Sequence, residues 1–209
     1  MFAMSIKANV SDHIKRRRGA TSFGQKKPFL PGQIQLIRSN LAAIGDTMQI
    51  ALFEAALSSM LRAGDLLRLP VGHVLDHYGQ VVEEFYVKQE KTTDTVKCFL
   101  GSKARAALRV WIDQAMIVEG KIYPGRRLFS FTRQHYGRLV KGWALLAHLD
   151  PKEYSTHSMR RTAAAHIFRK TNNIEAVRHL LGHQNLSHTQ AYLGVTKEDA
   201  IKLAKEHEL

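Results

Sequence analysis

VVEEFYVKQEKTTDTVKCFL, residues 81–100, is where the chain changes its period. Apolar residues that recur three and four apart elsewhere alternate here on either side of the polar segment KTTD, residues 91–94. That pattern reads as two strands around a tight turn, a small hairpin rather than a large sheet. On its N-terminal side, GQIQLIRSNLAAIG (32–45) and TMQIALFEAALSSMLRAGDLLRL (47–69) have helical spacing, with Asp46 or Thr47 as a cap between them and Pro70 as a stop. On its C-terminal side, Ser102 opens the helix KARAALRVWIDQAMIV (103–118), EGKIYPGRR (119–127) is a loop, and TRQHYGRLVKGWALLAHL (132–149) is helical until Asp150-Pro151. Short helices are expected at 157–170, 174–182, 187–193 and 196–207. The fold class predicted is mainly α with a small antiparallel β-hairpin, without internal repeats.

The bulk numbers bound the partners more than the fold. With 209 residues and 44% apolar content, the chain can bury one good core, or one core plus an appendage. Lys and Arg number 31 against 18 Asp and Glu, a net charge of +13. Such an excess favours a polyanion, nucleic acid or an anionic membrane surface, through long-range attraction and counterion release. Cys98 is the only cysteine, so no intrachain disulfide can form and nothing suggests an oxidising compartment. No apolar run approaches the ~18 residues of a membrane-spanning helix, and the opening residues lack the apolar stretch of a signal peptide. A cytoplasmic protein without a membrane partner is expected. Residues 1–28 are basic, with Lys7, Lys15, Arg16, Arg17, Arg18, Lys26 and Lys27 against Asp12 alone. They read either as a solubilising tail or as a flexible arm lying along phosphates.

Four segments carry polar residues that a core pattern does not ask for. In THSMRRTAAAHIF (156–168), Ser155 or Thr156 caps the helix, which puts His157 in the first turn and Arg160 one turn on, on the same face. A helix start offers free N–H groups and a positive dipole end, which suits a phosphate. Arg62 closes a strongly apolar helix where continuity favours another Leu, and Asp65 follows three residues later to hold the guanidinium. Lys91 stands at the hairpin tip, a proton donor on a pointer. In LLGHQNLSHTQAYLGV (180–195), Gly182 breaks an apolar run, and His183, His188, Thr189 and Tyr192 follow in a stretch too polar to be core. Each piece alone also has a bland reading: a surface His/Arg pair, a surface salt bridge, a solubilising lysine. Together they make a set for phosphoryl chemistry: Arg for the oxygens, His and Lys for protons, Tyr as nucleophile. A tyrosine with a pKa of about 10 is only about one-thousandth ionised at neutral pH, so it needs such neighbours.

The order and spacing of these pieces resemble the catalytic domain of the tyrosine recombinase (phage integrase) family. The resemblance rests on Arg62 with Asp65, Lys91 in QEKT, HSMRRT as the H-x-[LM]-R box, LLGH, and Tyr192 nine residues after His183. It covers roughly residues 28–205. What it implies is site-specific cutting and rejoining of double-stranded DNA by transesterification, with no metal and no nucleotide cofactor. Tyr192 would attack the scissile phosphate, forming a 3′-phosphotyrosyl bond and releasing a 5′-hydroxyl. Arg62 and Arg160 would clamp the nonbridging oxygens, Lys91 would protonate the leaving oxygen, His157 would assist proton transfer, and His183 would hydrogen-bond the phosphate. Asp65 is expected to support Arg62, and Arg16, Arg17, Arg18 and Arg161 to contact DNA. The resemblance also implies a tetramer on DNA joined by exchange of the C-terminal helix 196–207, the alternative being that this helix docks on its own chain, and it leaves room for accessory DNA-binding proteins. The division expected is an arm at 1–28 and a catalytic domain at 29–209, without a full N-terminal core-binding domain. Whether the reaction integrates, excises, inverts or resolves is left open. Two rivals remain: a non-catalytic DNA-binding regulator that keeps the fold, and a zinc hydrolase using His179 and His183 in HLLGH. The second lacks the Glu of H-E-x-x-H, and Gly182 interrupts its helix.

Overall fold

The computed structural model describes residues 25–91, 94–121, 123–194 and Lys205. Arg16, Arg17 and Arg18 lie outside the described residues, as does the expected helix 196–207 apart from Lys205. Among the described residues the architecture is mostly helical with one two-stranded antiparallel sheet. Among the described residues, no helix is long and apolar enough to cross a membrane.

Helix α1 (Pro31–Ile44) starts with a proline in its first turn and ends at Gly45, whose φ of 75° lets its amide close the last turn. Helix α2 (Thr47–Ser59) is capped by the Asp46 carboxylate, which accepts from the Gln49 amide at 2.9 Å. It is buried nearly all round, through Ala51, Leu52, Phe53, Ala55 and Ala56, and forms the centre of the molecule. Phe53 meets Trp143 edge-on at 5.1 Å between ring centroids, and the indole N–H of Trp143 donates to Gln49 at 2.8 Å. Each such fully buried large side chain contributes about 1.5–3 kcal/mol.

The stretch 47–69, read as helical in spacing with Arg62 closing an apolar helix, forms two helices. Met60 takes a left-handed conformation (φ 52°), the Ser59 hydroxyl turns back to the Ala55 carbonyl, and Arg62 becomes the extended residue before α3 (Ala63–Arg68). No Gly or Pro marks that break, and the left-handed backbone at Met60 costs on the order of 1–2 kcal/mol. Its result is to move Arg62 from a helix flank to a helix start.

The hairpin forms as its alternation predicts. Strand β1 (Glu84–Lys88) pairs with β2 (Thr95–Phe99), Tyr86 opposite Lys97. Phe85, Val87, Val96 and Cys98 face inward and the alternate residues outward. Helix α4 (Ser102–Glu119) packs along α2, and α5 (Arg133–Leu146) supplies Tyr136, Val140 and Trp143 to the core. Three helices follow: α6 (Thr156–Thr171), α7 (Ile174–Leu181) and α8 (Leu186–Leu193). The buried apolar residues form two clusters. A large one joins α1–α6 and the hairpin, and a small one holds Ala164, Val177 and Leu181 with Tyr192 and Leu193 against it.

Candidate active site

Ser155 is the cap of α6. Its hydroxyl accepts from the His157 amide at 3.3 Å, and its own amide donates to the Ser158 hydroxyl at 3.1 Å, a reciprocal capping pair. This fixes His157 at the exposed end and drives Arg160 into the interior at 3% exposure. Arg160 donates one Nη2 hydrogen to the Leu181 carbonyl at the end of α7, while Nη1 is buried with no hydrogen-bond partner. Burial first, then the charge of Arg62, pushes its guanidinium down to about 10. Two cations are thus held near one another with Asp65 as a partial counter-charge, and the unpartnered Nη1 asks for an acceptor.

Arg62 reaches the hairpin, donating to the Gln89 side-chain carbonyl. Gln89 is 2% exposed and also lies against Gly182. Gly182 takes φ 60° to end α7, with its amide on the His179 carbonyl at 2.9 Å and the His183 amide on the Arg178 carbonyl at 3.1 Å. A Cβ there would lie 2.6 Å from Val96 Cγ2, so only glycine lets α7 end against the hairpin. His183 then enters with its Nδ1 3.0 Å from the Thr189 hydroxyl. Burial foremost, then Arg160, Arg62, His188 and Lys91, brings its ring pKa down to about 4. It is neutral at physiological pH.

Tyr192, on α8, donates its hydroxyl to the His157 carbonyl at 3.2 Å, and its ring meets that of His183 edge-on at 5.6 Å. Burial raises the phenol pKa, while Arg160, Arg161 and Arg62 pull it down. His157 is lowered by burial and by Arg133, Arg160, Arg161 and Arg62. Lys91, exposed at the tip, lines a pocket of about 310 Å³ with Arg62, Glu90, Arg133 and His157. Arg62, Lys91, His157, Arg160, His183 and Tyr192 therefore gather in one region from four separate segments.

Two expected contacts are made differently. Asp65 does not pair with Arg62: one oxygen accepts from Arg68 at 2.9 Å and from the Glu90 amide at 3.1 Å, and the other is buried without a partner. The break at Met60 makes Arg62 the extended residue before α3, where its side chain reaches Gln89, while Asp65 stays inside the first turn of that helix. Arg161 does not face outward with its neighbours. It is 8% exposed, donates to the Lys26 carbonyl at 2.6 Å, and lies over the Tyr192 ring. His179 and His183 do not face a common ion, since His179 turns to Glu175 at 3.2 Å and His183 to Thr189. Among the described residues, no three His, Cys, Asp or Glu side chains converge as a metal site.

Gln89 and Arg133 were not singled out by the sequence, and Thr189 was noted only as one polar residue of a stretch too polar to be core. Gln89 and Thr189 are polar residues buried at 2% and 0%, which spacing alone does not reveal. Arg133 left a signal: a cation at the first position of α5, after the Thr132 cap, opposes the helix dipole.

The model of the phage integrase family matches residues 31–199. The tyrosine recombinase XerD of Yersinia pestis is 28% identical over 167 residues, 75% of this chain and 53% of that protein. XerD of Brucella suis biovar 1 is 30% identical over the same length, 75% of this chain and 51% of its own. The chain thus spans about half the length of these curated relatives. Among solved structures, the XerA recombinase superposes with a TM-score of 0.69 at 17% identity, covering 87% of this chain and 65% of that one. The XerH site-specific recombinase bound to its palindromic difH substrate, a post-cleavage complex, gives 0.65 at 16% identity over 86% of this chain and 53% of that one. These structural likenesses establish a shared fold.

Proposed function

Since this chain belongs to the phage integrase family of tyrosine recombinases, we propose that it cuts and rejoins double-stranded DNA through a covalent link to Tyr192. The observation that carries the reading is the buried, unpartnered Nη1 of Arg160 beside Arg62. An unsatisfied buried donor costs on the order of 1–3 kcal/mol, and a nonbridging phosphate oxygen would satisfy it.

In the proposed step, the Tyr192 oxygen attacks phosphorus and loses its proton as the bond to the 5′-oxygen breaks. The His157 main-chain carbonyl accepts from that hydroxyl; the proton passes to the His157 ring, whose pKa burial foremost lowers, and Lys91 gives one to the leaving 5′-oxygen. Arg62 and Arg160 hold the nonbridging oxygens as negative charge builds on them. In the tautomer where the Thr189 hydroxyl donates to Nδ1, neutral His183 carries its proton on Nε2 and donates it to the phosphate. The phosphotyrosyl ester is another phosphate ester, so a 5′-hydroxyl can reverse the step without a nucleotide cofactor. Site-specific recombination further calls for a tetramer with an exchanged C-terminal helix, and for accessory DNA-binding proteins where the reaction is directional. Arg16, Arg17 and Arg18 would add phosphate contacts.

The test is direct capture. The protein is incubated with a library of randomised duplexes carrying a nick, and protein–DNA adducts are counted on a denaturing gel. Wild type should form adducts and Tyr192→Phe none. Binding without an adduct from wild type would favour the regulator reading instead.

A further inference from the structure

Helix α6 carries two consecutive arginines, and the proposed reaction uses only the first. Arg161 lies with its guanidinium carbon 4.8 Å from the centre of the Tyr192 ring. A planar cation over an aromatic face is attracted to it, more strongly away from water. Arg161 Nη1 is held by the Lys26 carbonyl at 2.6 Å, and that carbonyl belongs to a strap, Gln25–Phe29, with contacts on both sides. On one side Gln25 donates to the Ala191 carbonyl, one residue before Tyr192. On the other, the Lys27 amide donates to the Glu153 carbonyl at 3.0 Å, Lys27 pairs with the Glu153 carboxylate at 2.7 Å, and the Phe29 amide donates to the Thr162 hydroxyl at 2.8 Å. Phe29 itself stacks on Tyr154 at 4.4 Å. The strap therefore ties the start of α6 to the end of α8, with Arg161 between them.

We propose that Arg161, locked by the Gln25–Phe29 strap, is a positioning residue that holds the ring of Tyr192 in its place. This rests on Tyr192 being the nucleophile. A cation above the ring also favours phenolate over phenol. The groups facing Tyr192 are His157, Arg160 and Arg161 from α6, Arg62 from the start of α3, and His183 from the turn before α8. Of these cations, Arg161 is the one stacked on the ring, while its Nη1 is already taken by the strap. It should matter to the rate of attack and little to DNA affinity. The strap also makes the segment that enters the domain part of the nucleophile's seat.

The experiment uses the full chain and the duplex sequence recovered from the randomised library, measuring adduct formation against pH and DNA affinity in parallel. Arg161→Met is expected to slow adduct formation about tenfold at neutral pH, with the rise in rate moved about one pH unit higher and affinity changed less than about twofold. Arg161→Lys, which keeps charge but not the planar stack, should recover part of the rate. Gln25→Ala should lower the rate without moving the pH profile, and it tests the strap even if Arg161→Met folds poorly. A wild-type rate and pH profile in Arg161→Met, or an equal loss in affinity and rate, would overturn the inference while leaving Tyr192 as nucleophile. Absence of any adduct from wild type would overturn the nucleophile itself.

Discussion

At Arg160 a guanidinium group sits inside the protein with one nitrogen on the Leu181 carbonyl and another with nothing. Such a group destabilises the fold that holds it. Arg160→Met, an apolar chain of similar length, is expected to melt at the same temperature or higher, since replacing poorly compensated buried charge is neutral or stabilising by about 1–4 kcal/mol. Adduct formation should fall by roughly 10²-fold or more; a variant that melts far lower would show the arginine to be a structural tie. His183 gives a second prediction. Its ring is held at about 4 when folded and titrates near 6.5 when unfolded. Between those values the unfolded chain binds more protons, so stability falls as pH drops from about 6.5 towards 4. His183→Asn should flatten that fall in urea melts at successive pH values; an unchanged slope would assign it to other groups. These residues were legible in the sequence because their spacing on helices and turns is local. Their partners were not. Asp65 stands three residues from both Arg62 and Arg68, and only the backbone break at Met60 decides between the two.

The elements show the same division. Alternation gave the hairpin its strands, and the capping residues read at 46–47 and 155–156 gave two helices their starts. What alternation does not contain is the approach of the hairpin to the end of α7, where Gly182 meets Val96 and Gln89. Gly182→Ala suffers twice, from a left-handed backbone and from a Cβ at 2.6 Å. A loss of about 2–4 kcal/mol in chemical denaturation is expected. Adding Val96→Ala to Gly182→Ala should return the steric part and leave the backbone part, so the two substitutions should be non-additive. Strict additivity would mean that the hairpin moves aside freely. The break between α2 and α3 had no such signature. Its sequence, Ser-Ser-Met-Leu-Arg, has helical spacing, and the turn is imposed by packing of Met60 and Leu61, both buried.

At the scale of the molecule, charge and core pull apart. The net +13 says what the surface will attract; among the described residues one large core joins α1–α6 and the hairpin. Both were legible from composition and period. The separation into a large and a small apolar cluster was not, because an apolar residue looks alike in either. That separation governs how the protein breathes. Tyr192 and Leu193 are attached to the smaller group, with Ala164, Val177 and Leu181, so lifting α8 exposes little greasy surface and leaves the larger group untouched. Backbone amides of 186–193 should take up deuterium well before those of α2, at a free energy below that of global unfolding; equal protection would mean that the two open only together. The hydroxyl of the proposed nucleophile can in this way leave its seat and return through many cycles while the body of the protein never melts.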